Sequence, residues 1–388
     1  MSARMVALLV FVLALGAVLS PAAEGAVAQA QPPAASVPAT GALGEEGPAV
    51  VDMDAVVVSG VQPGPGLWRV RKDDHVLYIL GTQSPLPRDM TWDAREVREV
   101  LAEAGAVLGP PGVSIGADVG FFRGLTLAPS ALKAMKNPGG ETLDELLPPG
   151  LYARWSGLKQ RYMGRDRGVE KKRPLIAVYE LYKEALDDSR LRQGGIVGPV
   201  ITRSLKERGM KGTSTALELK IEDPREALAD FRKEGLKPQD LECFGDTLDV
   251  IESDLPRIAA RANAWAVGDL DALRAIPQNR SQVEACLSAW TETETARKRG
   301  LVDIDARVRD SWLQAVDKAL SEHPMSFATM PIDNLLYDRD GYVAGLTARG
   351  YRIQAPDEYG EEAVDAAAGD ALPPGDIAPA PAATTPLP

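Results

Sequence analysis

Leu67-Trp68-Arg69-Val70-Arg71-Lys72-Asp73-Asp74-His75-Val76-Leu77-Tyr78-Ile79-Leu80-Gly81-Thr82-Gln83-Ser84 is the stretch that decides the fold class of this chain. Lys72-Asp73-Asp74 is a polar turn between two runs of β-branched, aromatic and aliphatic residues, so the stretch predicts a hairpin. In its second half Val76, Tyr78 and Leu80 alternate with Leu77 and Ile79. Both faces of that strand are apolar, as in a strand covered on both sides. Gly81 then marks the exit from strand to loop.

Working outward, Trp92 to Ala104 carries Val97, Val100 and Leu101 at helical spacing. A short strand, Ala106-Val107-Leu108, stops at the breaker Gly109-Pro110-Pro111-Gly112. The middle of the chain reads as helices, over residues 142–147, 151–162, 174–186 and 197–208. Pro174 stands at a helix start, where its missing N–H costs nothing. A strand over 215–219 precedes helices over 224–233, 238–267, 281–297 and 302–320. Met325 to Met330 predicts another strand, Gly341 to Arg349 a helix, and Tyr351-Arg352-Ile353 a last strand. These elements predict an α+β (or α/β) fold, a central mixed β-sheet of short strands covered by many helices. The first and last strands are expected to meet, bringing Ser84 and Asp333 to one cleft.

The ends have a different composition. Arg4 precedes an apolar run from about Met5 to Val18, followed by small residues including Ala26-Val27-Ala28. This is the pattern of a cleaved secretory signal over residues 1–28, ending after Ala28 or Ala30. The run is shorter than the roughly 20 residues needed to span a bilayer, and no later stretch is long and apolar enough. A periplasmic or secreted protein is therefore expected. Residues 29–66 and 357–388 are rich in Pro and Ala, and such sequence buries too little apolar surface to offset the cost of ordering. They are read as an unstructured linker and tail around a domain over residues 67–356. The net charge of −12 belongs largely to these ends, which carry four and seven acidic residues and no basic ones. The acidity thus reports solvated tails. No basic stripe with interleaved aromatics favours nucleic acid.

Cys243 and Cys286 are the only cysteines. In an exported protein they permit one disulfide; two buried small apolar residues are the alternative. Neither belongs to a Cys-x-x-Cys pair, so redox catalysis and a zinc knuckle are poorly supported.

Four segments resemble the TraB/GumN family. They are Leu67-Trp68-Arg69-Val70 with Tyr78-Ile79-Leu80-Gly81-Thr82, then Thr215-Ala216-Leu217-Glu218, then Trp265-Ala266-Val267-Gly268-Asp269-Leu270, and finally Gly350-Tyr351-Arg352-Ile353. The likeness spans roughly residues 67–355. It implies a metal centre served by histidines in two Gly-x-x-His motifs, with an acidic residue after a strand. This chain has Gly81-Thr82-Gln83-Ser84 at the first motif and Met330-Pro331-Ile332-Asp333 at the second. Where the acidic residue belongs it has Gly109-Pro110-Pro111. Metal-dependent hydrolysis needs such ligands to hold a cation and lower the pKa of its bound water.

His75 and His323 are the only histidines, and neither has a partner at ligand spacing. Both read as surface residues. The residues expected to line the cleft are Gly81, Thr82, Gln83, Ser84, Glu218 and Asp333. Ser84, Glu218 and Asp333 offer oxygen ligands that would hold a divalent cation such as Mg²⁺ or Ca²⁺ weakly; polar loop residues lining an emptied cleft are the plainer reading, with no cofactor. Gly212-Thr213-Ser214-Thr215-Ala216 lacks the strand-to-helix context of a nucleophile elbow, and two Ser-x-x-Lys matches lack their companion motifs. The leading expectation is a catalytically degenerate, exported protein that binds an unknown protein or small-molecule ligand. The alternatives are an active peptidase-like hydrolase, with an atypical oxygen-ligand metal site or a metal-free mechanism, and an accessory or scaffold protein of envelope or exopolysaccharide machinery.

Overall fold

The computed structural model describes residues 61–116, 121–193, 195–220, 223–276, 286, 303–338 and 340–359. The hairpin forms as expected, with β1 at Leu67–Lys72 and β2 at His75–Thr82. They pair antiparallel from Leu67 opposite Leu80 to Lys72 opposite His75. The remaining labelled strands are β3 (Ala106–Leu108), β4 (Val113–Gly116), β5 (Leu217–Lys220), β6 (Met325–Pro331) and β7 (Arg352–Gln354). Five of them make one mixed sheet in the order β7-β1-β2-β6-β3. β7 lies antiparallel to β1, so the first and last strands of the sheet do meet. β6 is parallel to both β2 and β3. This is an α+β architecture with helices over the sheet.

β4 and β5 form a second, parallel ladder, reached from the end of β3 through a bridge between Leu108 and Thr213. Among the elements with no counterpart in the sequence reading are β4 and a helix over Phe121–Ala134. The reasons are local. β4 follows an emphatic breaker and finds its partner about a hundred residues later, while the helix contains Pro129, which normally argues against a helix interior.

Five helices position the functional regions of the molecule: α1 (Pro174–Asp188), α2 (Pro238–Asp249), α3 (Leu255–Val267), α4 (Leu270–Ala275) and α5 (Ile304–Glu322). α5 lays Trp312, Leu313, Val316 and Leu320 onto the main core, which also contains Val70, Leu77, Ile79 and Phe327 from the sheet. A separate helical lobe has its own core around Trp155, Leu181, Phe244 and Leu248. α2 and α3 join the two cores through a π turn, Val250–Asp254. Pro256 sits in the first turn of α3 and cannot donate the N–H that an unbroken α-helix would need. One extra residue in a turn shifts the helical phase by roughly 100°. The run from Pro238 to Val267 thereby presents Phe244 and Leu248 to the lobe and Trp265 to the sheet.

The packed region is wider than composition suggested at both ends. Val61–Gln62 pair in parallel with Thr91–Trp92, and the Gly64 N–H donates to Ala266 O at 2.8 Å. Gly64 (φ +81°) and Gly66 (φ +72°) make this possible, because a Cβ on Gly64 would fall 2.2 Å from the Trp92 indole. At the other end the Arg69 guanidinium lies 3.7 Å from the centre of the Tyr359 ring. Pro and Gly density thus marks a chain that follows the surface closely here. The signal segment, the rest of the linker, the rest of the tail and the helix expected over 281–297, apart from Cys286, lie outside the described residues.

Cys243 and Cys286 are bonded to each other, 1% and 3% exposed. The bond closes a sequence separation of 43 residues onto α2. A paired Cys243→Ser/Cys286→Ser variant is expected to lose about 2–4 kcal/mol of stability, mostly by freeing the unfolded chain. Urea unfolding of the two proteins measures this, and thiol labelling of the native parent should give no free thiol.

Candidate functional site

β2 and β6 run parallel and leave the sheet at the same edge, with Gly81 opposite Met330 and Thr82 opposite Pro331. The residues that come after each strand must therefore emerge side by side. Pro331, at φ −53°, turns β6 straight into a short helix over Ile332–Leu336, which puts Asp333 in its first turn. Ile332 packs against Gly81, where a Cβ would lie 2.8 Å from the Ile332 Cγ1. Only glycine allows that approach. The Thr82 hydroxyl donates to Met330 O at 3.1 Å and ties the two exits together.

α3 supplies the other wall. Arg261 and Trp265 are four residues apart and share one face of the helix. The Trp265 indole N–H donates to Gly81 O at 2.8 Å, fixing the end of β2. Gly268 ends α3 at φ +75°, and its Cβ would meet Gly64 O at 2.5 Å. Asp269 then caps α4 by accepting from the Ala272 N–H at 2.8 Å. The Trp-Ala-x-Gly-Asp-Leu segment is thus a helix stop, a cap and a new helix start, with the tryptophan anchoring the sheet.

Arg261 is the centre of the site. Its side chain is 3% exposed, and that of Asp333 is 13% exposed. The guanidinium donates to the Asp333 carboxylate, to Gln83 Oε1 at 3.2 Å, to Leu273 O at 3.1 Å and to Ile276 O. The two carbonyls belong to the C-terminal end of α4, where the helix dipole favours a cation. Tyr337 braces the same end by donating to Leu273 O at 2.8 Å and Arg274 O at 2.9 Å. An arginine removed from water is tolerated because a charge and neutral acceptors surround it.

Of the residues expected to line the cleft, Gly81, Thr82, Gln83 and Asp333 come together here. Gln83 is 8% exposed and faces Arg261, whereas the next residue, Ser84, is exposed. Ser84 is therefore less involved in this network than its neighbour Gln83. Glu218 is exposed on β5, opposite Ser114 of β4, in the second ladder. Thr215 is buried and donates to Gly109 O and Pro110 O, each at 3.0 Å, so hydroxyl-to-carbonyl bonds occupy the place expected of the acidic residue.

His75 starts β2 and His323 precedes β6, so both lie at the opposite end of the strands. Six strand steps separate that end from Pro331, roughly 20 Å. His75 is half-buried, its Nδ1 against Leu320 O, which departs from the surface position expected of it. Among the described residues no group of three or more His, Cys, Asp or Glu side chains is arranged to hold a metal ion. Arg261 was absent from the sequence reading. Its signal was a single arginine within Ala259-Ala260-Arg261-Ala262, one turn before Trp265.

The model of the TraB/PrgY/gumN family matches residues 66–355, and the chain belongs to that family. No curated protein and no solved structure matches it.

The arrangement around Arg261 predicts an asymmetry. Arg261→Met removes the guanidinium from a buried carboxylate and should cost about 3–5 kcal/mol. Asp333→Asn keeps an acceptor and should cost about 1–3 kcal/mol. The double variant Arg261→Met/Asp333→Leu should recover part of the loss, and a double-mutant cycle by urea unfolding gives the coupling.

Proposed function

We propose that this member of the TraB/PrgY/gumN family is an exported, catalytically degenerate protein that acts by binding. The observation that carries this reading is the Arg261–Asp333 ion pair. A metal-dependent hydrolase needs neutral histidines or free carboxylates around a cation, and a bound water whose pKa that cation lowers. The residues at this cleft do not fit such a group. Asp333 is neutralised by a guanidinium, which stays protonated in proteins and has no lone pair to offer a metal. Gln83 contributes its oxygen to the same guanidinium, and Ser84 is exposed. The cleft is therefore braced internally by its own cation.

Export is supported by the N-terminal pattern of Arg4, an apolar run and Ala26-Val27-Ala28. Among the described residues no helix is long and apolar enough to cross a membrane. Two measurements test the proposal. The protein recovered from an exporting cell should begin at Gln29 or Gln31, which intact-mass measurement reads directly; an N-terminus at Met1 would sink the export half. Metal analysis of the purified protein should find less than one equivalent, and Zn²⁺, Mn²⁺, Mg²⁺ and Ca²⁺ should leave its melting temperature unchanged. A stoichiometric metal that disappears in Asp333→Ala would overturn the reading and make the cleft an active centre.

A further inference from the structure

The helical lobe encloses a cavity of about 140 Å³, between residues 137–141, the start of α1 and residues 231–240. One wall is cationic. Arg173, immediately before α1, is only 9% exposed. It donates to Ala134 O at 3.0 Å, Glu234 O at 3.0 Å and Phe231 O at 2.6 Å, and its guanidinium carbon lies 4.4 Å from the centre of the Phe231 ring. A guanidinium has five N–H groups, so two remain unclaimed among the described residues. The Leu175 N–H, in the first turn of α1, is of the kind that no helix satisfies internally. Both residues line the cavity.

The lining also includes carboxylates. Asp240 accepts the Lys237 N–H at 3.0 Å through Oδ2, and its Oδ1 has no hydrogen-bond donor among the described residues. Burial pushes its carboxyl pKa up, outweighing the opposite pull of the Lys237 N–H and of the Lys237 and Arg173 charges. The carboxylate of Glu141, on the same cavity, likewise has no donor among the described residues. The Lys237 ammonium makes its direct ion pair with Glu234, at 2.9 Å. Arg173 and Asp240 thus line one cavity with opposite charges, yet no hydrogen bond or ion pair joins them.

A buried cation and a half-buried carboxylate on one cavity favour a polar occupant that can pair with both. The cavity is small: one of roughly 150 Å³ holds one benzene ring, hence about six non-hydrogen atoms. Leu146 and Ile176 add apolar surface for a short side chain. We propose that this cavity binds a small zwitterionic amino acid, its carboxylate on Arg173 and the start of α1 and its ammonium on Asp240 and Glu141. The site belongs to the helical lobe and does not depend on whether the Arg261 cleft is catalytic.

The test is calorimetric titration of the mature protein with L-alanine and glycine, beside ethylamine and propionate, which each keep only one charge. Saturable heat is expected for the amino acids, with each single-charge analogue about tenfold weaker or more. The double variant Asp240→Asn/Glu141→Gln keeps an acceptor for the Lys237 N–H, and its near-UV circular dichroism should match the parent. It should weaken alanine about tenfold or more and leave propionate unchanged. No saturable binding of either amino acid would mean that the cavity holds water only and would overturn the proposal. Equal binding of the analogues, or no effect of the double variant, would overturn it as well. Metal analysis at Asp333 reports on the other cleft alone, so the two proposals fail separately.

Discussion

The parallel pairing of β2 with β6 is the constraint on which the rest of the molecule depends. Seven residues of β6, Met325 to Pro331, lie in register with Val76 to Thr82. Nearly 250 residues of chain intervene, so the contact carries a large loop-closure cost that local propensity does not offset. Burial on both faces offsets it, with Leu77, Ile79, Phe327, Ala328 and Met330 all within the main core. Once that pair is formed, β1 and β7 extend the sheet on one side and β3 on the other. The two strand exits then lie together, and any function inherited at that edge has to be built from the residues just after Gly81 and Met330.

Those residues belong to an electrostatic brace. The guanidinium of Arg261 joins three parts of the chain: the turn after β2 through Gln83, the helix after β6 through Asp333, and the end of α4 through two carbonyls. A buried cation in this position does mechanically what a metal ion often does, holding separate loops by their oxygens. Chemically it differs, because it does not activate water. The helical lobe, with its own core, brings a buried cation and two carboxylates to the lining of one cavity.

How much of this was legible depends on the range of the interactions. The hairpin was legible because alternation and a polar turn are local. So were the helix starts at Pro174, Pro224 and Pro238, where a proline at the first helical position announces itself. The continuous run from Pro238 to Val267 was visible, but its π turn was not, since each half keeps helical spacing and only the tertiary contacts show that the two halves face different cores. Gly81, Thr82, Gln83 and Asp333 were marked by their place in the motifs. Motif position does not say which way a side chain points, however. Gln83 faces inward and Ser84 outward because the turn after β2 settles that alternation. Arg261 stayed invisible because a single charge in an alanine-rich helix normally reads as a solvated face.

The amino-acid sequence by itself determined the family, the α+β class, and which residue types follow Gly81 and Met330, since these are matters of residue identity and short-range pattern. Only the tertiary structure decided what those residues touch. A guanidinium and a carboxylate 72 positions apart become partners because α3 packs Trp265 against the end of β2, which carries Arg261, one turn earlier, over Asp333. The opposed charges of Arg173 and Asp240 are likewise a product of packing. Whether two charges pair directly or only line the same cavity depends on distances in three dimensions, and no order of residues along the chain states those.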